Sequence, residues 1–157
     1  VPVWMRKLSS AEYVYRVYKL NIRLGEILIN KPQKYKQNYS DQIIKTALSA
    51  LEHVQTADSI FMSKYTKEED YLLRKKCLLL AKGEIQHLAT ASYIFLEIVR
   101  KHDYASETVV GIFDRYAKIY DQELEIGEMC EECHKLIVAV LRSDRETYNK
   151  YIRPSED

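Results

Sequence analysis

The sequence is poor in the residues that let a chain turn sharply. Its 157 residues include only four glycines and three prolines, and no Asn-Gly or Asp-Gly dipeptide occurs. Tight β-hairpins depend on turns of that chemistry. The shortage therefore disfavours an antiparallel sheet and favours an all-helical chain.

Long apolar runs and paired cysteines are also missing. No stretch approaches the roughly 20 apolar residues of a membrane-spanning helix. The first seven residues are too short and too interrupted for a signal peptide. Three cysteines, an odd number, argue against a disulfide framework and indicate a reducing compartment. We therefore expect a cytoplasmic protein with no membrane partner.

Four stretches instead repeat apolar residues at spacings of three and four, which is typical of helices with one buried face. They predict helices over residues 10–29, 41–64, 67–101 and 106–142, with a short tail helix over 144–151. The candidate N-terminal caps are Ser9, Ser40, Thr66 and Ser106. Long amphipathic helices with short links predict one all-α domain over residues 1–157, an antiparallel up-down four-helix bundle.

The same periodicity predicts the inward face of each helix. In the first two helices these residues are Val14, Val17, Tyr18, Leu24, Gly25 and Leu28, then Ile43, Ile44, Ala47, Leu48, Leu51 and Val54, with Phe61 and Met62 beyond them. In the last two they are Leu73, Cys77, Leu80, Ala81, Leu88, Ala91, Phe95 and Ile98, then Phe113, Tyr116, Ala117, Tyr120, Leu124, Val138 and Leu141.

Charge is unevenly distributed along the chain. Residues 1–82 hold 15 Lys and Arg against 8 Asp and Glu, whereas residues 83–157 hold 9 against 15. Such polarity either steers an acidic partner to one part of the surface or lets copies dock head to tail. The other interpretation is a chance placement of solvated charges.

One motif, Cys130-x-x-Cys133-His134, has the spacing of a covalent haem attachment site with His134 as axial ligand. Four-helix cytochromes of the c-prime type carry such a motif late in the chain. The other interpretation is two helix cysteines that happen to lie three residues apart. No second Cys or His pair completes a zinc site.

Two Glu-x-x-His motifs are candidates for a di-metal site: Glu84 with His87, and Glu131 with His134. Helical di-iron and di-manganese proteins add one Glu from each remaining helix. Here Glu26 and Glu52 are predicted to point away from the core, so the ligand set is incomplete. Glu84 would then pair with a core polar group such as Asn21 or a tyrosine hydroxyl, and we predict no metal or other cofactor.

A basic loop and a basic segment of the third helix are candidates for nucleic-acid or partner binding. The residues are Lys31, Lys34, Tyr35, Lys36, Tyr39, Arg74, Lys75 and Lys76. Lysines and arginines bind phosphates, and tyrosines can stack on unpaired bases. The alternative is a solvated loop whose tyrosines pack on helix ends. No nucleophile–base pair, glycine-rich phosphate loop or triad is visible, so we expect neither an enzyme nor a small-molecule substrate.

Short motifs over roughly residues 14–141 resemble a known family. They are Lys-Pro-Gln-Lys-Tyr at 31–35 leading through Ser-Asp-Gln at 40–42 to Ala-Leu at 47–48, Ala-Asp at 57–58, Leu-Ala-Lys-Gly-Glu-Ile-Gln-His-Leu at 80–88 and Glu-Ile-Gly-Glu-Met at 125–129. The chain is similar to the four-helix bundle proteins that include the accessory variability determinant of diversity-generating retroelements. Relatives of these proteins are encoded in ribosomal RNA intervening sequences.

The resemblance implies a homo-oligomer, a pentamer in the retroelement proteins, that binds a reverse transcriptase and RNA or cDNA through a basic surface. Such a protein assists cDNA synthesis without catalysing it, and Lys31, Lys34 and Lys36 would be contact candidates. Two alternatives stay open: a helical metal or c-type haem protein, and a structural oligomer that binds another protein.

Overall fold

The computed structural model describes residues 11–103 and 109–155, with side chains in 11–103 and 117–155. Its helices are α1 (Glu12–Leu28), α2 (Asp41–Ser59), α3 (Glu68–Asp103) and α4 (Val109–Thr147). Each helix packs against two others, in the cycle α1–α2–α3–α4. The predicted all-α four-helix bundle is confirmed. None of the described helices contains a segment long and apolar enough to span a membrane.

The core is built from four regular seams in which buried positions alternate at spacings of four and three. In α1 and α2 these are Tyr13, Val17, Leu20, Leu24 and Ile27, then Ile43, Ala47, Ala50, Val54 and Ala57. In α3 and α4 they are Leu78, Ala81, Ile85, Leu88, Ser92, Phe95 and Val99, then Ile119, Glu123, Ile126, Cys130, Cys133 and Ile137. This heptad pattern keeps each seam on the bundle axis, as in coiled coils.

The second helix is shorter than predicted, ending at Ser59 rather than near residue 64. Thr66 closes the following turn, because its hydroxyl accepts the Ser63 N–H at 2.8 Å and donates to the Phe61 carbonyl at 3.0 Å. Thr66 therefore holds the turn together instead of capping α3. Phe61, predicted to be buried, is 83% exposed.

Ser40 does not cap α2 either. It lies in the π-helical turn Lys36–Ser40 with a helical backbone, so the chain enters α2 already coiled. No separate tail helix forms, because α4 continues to Thr147 and directly into the π-helical turn Tyr148–Ile152. The other candidate caps, Ser9 and Ser106, lie outside the described residues.

The predicted faces of α2, α3 and α4 are partly wrong, and Leu48 of α2, expected in the core, is 55% exposed. Leu73, Leu80, Tyr120 and Leu124 were expected in the core, but 44–51% of each is exposed. In α4 the core positions include a glutamate and two cysteines. The apolar residues beside those positions therefore show a clearer helical periodicity in the sequence than the core positions themselves. Ala117 is also exposed. The side chains of Phe113 and Tyr116 lie outside the described residues.

Candidate functional site

The link between α1 and α2 is anchored to the bundle by its tyrosines. A 3-10 turn (Gln33–Tyr35) leads into the π-helical turn that precedes α2. The ring centroids of Tyr35 and Tyr39 lie 5.6 and 5.2 Å from that of Phe95 in α3. Such aromatic clusters add stability beyond buried area alone. Both tyrosines therefore pack inward.

The lysines of the link differ in their surroundings. Lys34 forms an ion pair with Asp103 at 2.6 Å, while its side chain remains 63% exposed. Lys36 is exposed to solvent. Lys31 is half-buried, and its Nζ donates a hydrogen bond of 2.8 Å to Oε1 of Gln122 in α4. The hydrogen-bond acceptor of Lys31 is therefore a neutral side chain from a distant part of the sequence.

Lys31 is also close to other cations. Burial, together with the positive charges of Lys118 and Arg23, lowers its pKa to about 8. No carboxylate contact with Lys31 is found among the described side chains. Arg23 is itself bonded to Glu125 and Glu26. Burial and the charges of Lys118 and Arg23 thus disfavour the charged form of Lys31, and the carboxylates of Glu125 and Glu26 offset part of the Arg23 contribution.

A surface cavity of about 460 Å³ lies beside this cluster. Its lining combines apolar residues at the end of α1 with the link and the start of α2, including Leu28, Ile29, Lys31, Pro32, Gln33 and Lys36. Lys31 and Lys36 are the two cations that line it, and Asp41 is the one acidic residue in its lining. Sequence reasoning named these lysines but missed Lys118 and Arg23, which only the packing of α1 and α4 brings near them.

The second group of predicted binding residues lies at the opposite end of the bundle. From Arg74 to Asp103, α3 rises about 43 Å. Arg74 donates to both carboxylate oxygens of Asp144 at 2.6 and 3.2 Å, and also to the carbonyls of Ala57 and Ile60. Its guanidinium is thus engaged inside the bundle. Of the neighbouring lysines, Lys75 is half-buried and Lys76 is exposed.

The two cysteines of the haem-like motif belong to the core. Cys130 and Cys133 are at most 2% exposed, and burial raises the pKa of each thiol to about 12. His134 lies at the edge of the seam, where the Gln86 amide approaches its Nε2 at 3.2 Å. The thiols and the imidazole therefore do not converge on one open space.

The Glu-x-x-His pairs are also separated. Glu84 accepts a hydrogen bond of 2.6 Å from Nδ1 of His53, a partner that sequence reasoning did not name. Glu131 pairs with Lys135 at 3.1 Å, and His87 is exposed. Within residues 11–103 and 117–155, no three His, Cys, Asp or Glu side chains are grouped to hold a metal ion. Asn21, suggested as a partner for Glu84, donates to the Val17 and Ala47 carbonyls.

A buried acidic pair, which sequence reasoning missed, lies between α3 and α4. Burial and the neighbouring charge of Glu97 raise the pKa of Glu123 to about 7. A hydrogen bond from Arg100 lowers the pKa of Glu97. Arg100 also approaches Glu123 at 3.8 Å. This group is enclosed between helices, so we assign it to stability rather than binding.

Comparison of the chain with protein-family models, with curated proteins and with solved structures found no match.

Proposed function

We propose that this protein is a non-catalytic, self-associating RNA-binding protein that contacts phosphates through the Lys31 end of the bundle. One observation carries the proposal: the half-buried Lys31 ammonium lies near Lys118 and Arg23 beside a solvent-open cavity. Bringing cations together costs free energy. A bound phosphate would offset that cost and release counterions from the nucleic acid.

The geometry favours contact with the phosphate backbone over stacking on bases. Tyr35 and Tyr39 already pack against Phe95, so their faces are engaged. Lys36 is exposed, and Lys34 keeps most of its side chain in solvent. We therefore expect structured RNA to compete well with unpaired RNA, because both present phosphates at this surface.

The resemblance to retroelement accessory proteins extends the proposal to a reverse transcriptase partner and a role in cDNA synthesis. Burial of Cys130 and Cys133 favours this reading over haem attachment, since a thioether bond requires accessible thiols. The paired contacts of Glu84 and Glu131 likewise disfavour a di-metal site.

The test is fluorescence anisotropy with one single-stranded and one hairpin RNA over a series of salt concentrations. We expect the slope of log affinity against log salt to fall by about 1 for each lysine removed in a Lys31→Gln, Lys118→Gln double variant. Affinity should also decrease as pH rises from 7 to 9, because Lys31 loses its proton near pH 8. That pH effect should be weaker in the double variant.

A Lys64→Gln, Lys67→Gln double variant is the matched control, because both lysines are exposed at the other end of the bundle and are not among the predicted binding residues. It should retain the wild-type salt slope. Absence of salt-dependent binding to either RNA would overturn the proposal. A larger loss in the control variant would move the binding surface to the start of α3.

A further inference from the structure

The outer face of α3 carries a second apolar stripe that the bundle core does not use. Large apolar side chains recur there in pairs at heptad spacing, each 44–55% exposed: Leu72, Leu73, Leu79, Leu80, Tyr93 and Ile94. Gln86 and His87 occupy the third pair of positions. We call this set the α3 outer stripe. A helix that is apolar on its solvent side as well as its core side normally packs against another helix.

Gly83 lies at the centre of the α3 outer stripe. It is exposed, and a Cβ at this position would have no neighbouring atom within 4 Å. A mid-helix glycine costs about 1 kcal/mol relative to alanine, and nothing in the bundle requires that cost. Helices meet most closely where both lack a side chain, so Gly83 marks a point of close approach.

We propose that the partner is a second copy of this chain, with the two α3 helices antiparallel and crossing at Gly83. This two-fold arrangement places each residue opposite the residue equally far from Gly83 on the other copy. Leu72 then faces Ile94, Leu73 faces Tyr93, Leu79 faces His87 and Leu80 faces Gln86. The two outer pairs are then apolar against apolar, whereas the two inner pairs place a leucine against a polar side chain beside Gly83, in the two-fold arrangement of an isologous interface.

Charge at the ends of α3 selects the antiparallel orientation. Its first turn is acidic (Glu68, Glu69 and Asp70), and the exposed side chains of its last turn, Lys101 and His102, are basic. An antiparallel pair places the acidic end of one copy near the basic end of the other. A parallel pair would place like charges together.

The available surface is large enough for a stable pair. From Leu72 to Ile94 the stripe extends about 33 Å. The bond between Gln86 and His134 shows that α4 flanks it, and Gly127 of α4 also has open space at its Cβ position. The α3 strip alone, about 10 Å wide, covers about 330 Å², and counting the full width of α4 raises this to about 660 Å², against roughly 800 Å² per partner in standard interfaces.

The test compares Gly83→Gln with Gly25→Gln, because both positions lie within helices and have open space at Cβ. Light scattering after size exclusion should give the wild type twice the monomer mass of 18.5 kDa. Gly83→Gln should weaken the pair at least about tenfold, since two side chains would meet at the crossing point. Gly25→Gln should keep the wild-type mass, and circular dichroism will verify that both variants are folded.

A cross-linking experiment tests the two-fold axis directly. A Gly83→Cys variant should form a covalent dimer under oxidation, because residue 83 lies against itself, whereas Gly25→Cys should not. The native thiols are buried and should not compete. A monomeric wild type, a pentamer, or an assembly that Gly83→Gln leaves intact would overturn the inference.

The inference rests on the self-association part of the proposed function, with a two-fold dimer in place of the pentamer that the resemblance implies. Dimerisation and RNA binding can fail independently. Gly83→Gln should retain phosphate binding at the Lys31 end, whereas Lys31→Gln, Lys118→Gln should retain the dimer. Loss of RNA binding alone would therefore contradict the proposed function but not the dimer interface. Loss of the dimer alone would contradict the interface but not RNA binding.

Discussion

The ion pair between Arg74 and Asp144 joins three helices through one guanidinium. The two side chains are 11% and 6% exposed, and Arg74 also donates to two carbonyls at the end of α2. We expect Arg74→Met to lower the free energy of unfolding by about 3–5 kcal/mol, because it leaves the Asp144 carboxylate buried and unpaired.

Urea denaturation measures this loss. The neighbouring Lys75→Met serves as control, with an expected change within about 0.5 kcal/mol for a side chain outside any such network. Adding Asp144→Leu to Arg74→Met should recover part of the stability, since no charge is then stranded. If Arg74→Met were as stable as the wild type, the pair would contribute nothing to the fold.

Glu123, which is buried between α3 and α4, makes the stability of the fold depend on pH. Its folded pKa, about 7, exceeds the ordinary value of 4.5, so the folded state holds a proton that the unfolded chain releases in this window. The stabilisation from this proton is fully present below about pH 4.5 and is lost as pH rises through about 7. Glu123→Gln should therefore raise stability at pH 8 by on the order of 2 kcal/mol.

Thermal or urea unfolding of Glu123→Gln and the wild type at pH 5, 6.5 and 8 checks this prediction. The difference between them should be small at pH 5 and grow with pH. The exposed Glu128→Gln, five residues further along the same helix, should follow the wild type at every pH. A constant difference across the series would contradict the assigned proton.

At the scale of the helices, the sequence contained enough periodicity to place all four and to assign the fold class. It did not give the register of α4, because Glu123, Cys130 and Cys133 fill core positions that a count of aliphatic residues omits. Scoring cysteine as apolar restores the spacing through Ile126 and Ile137. The same omission made exposed Leu124 resemble a core residue.

The candidate site was only partly predictable for a different reason. Lys31, Lys34 and Lys36 are visible as a local cluster, but the hydrogen bond from Lys31 to Gln122 joins residues 91 positions apart. No local pattern encodes such a contact. For the tyrosines, the sequence leaves both base stacking and packing on helix ends open, because it shows their type but not the Phe95 ring against which they pack.

Across the whole molecule, the unequal lengths of the helices explain which surfaces are available for binding. The structure gives α3 and α4 36 and 39 residues, whereas α1 and α2 have 17 and 19. The link from α1 to α2 therefore covers the far part of α3, where Tyr35 and Tyr39 pack against Phe95. Its lysines are held at that end. The outer side of α3 remains open along the middle of the bundle, so the proposed phosphate contact and the proposed self-association would use separate surfaces.

The three cysteines should report on unfolding of the whole bundle. Cys77, Cys130 and Cys133 are all buried, and two have thiol pKa values of about 12, so a thiol reagent such as Ellman's should label none of them rapidly in the folded protein. Labelling of all three should follow the urea unfolding transition, because opening the core exposes them together. The Gly25→Cys variant is the positive control, because a Cβ at Gly25 faces open space and lies away from the proposed dimer interface. Rapid labelling of Cys130 and Cys133 without urea would show an accessible pair and return haem attachment to consideration.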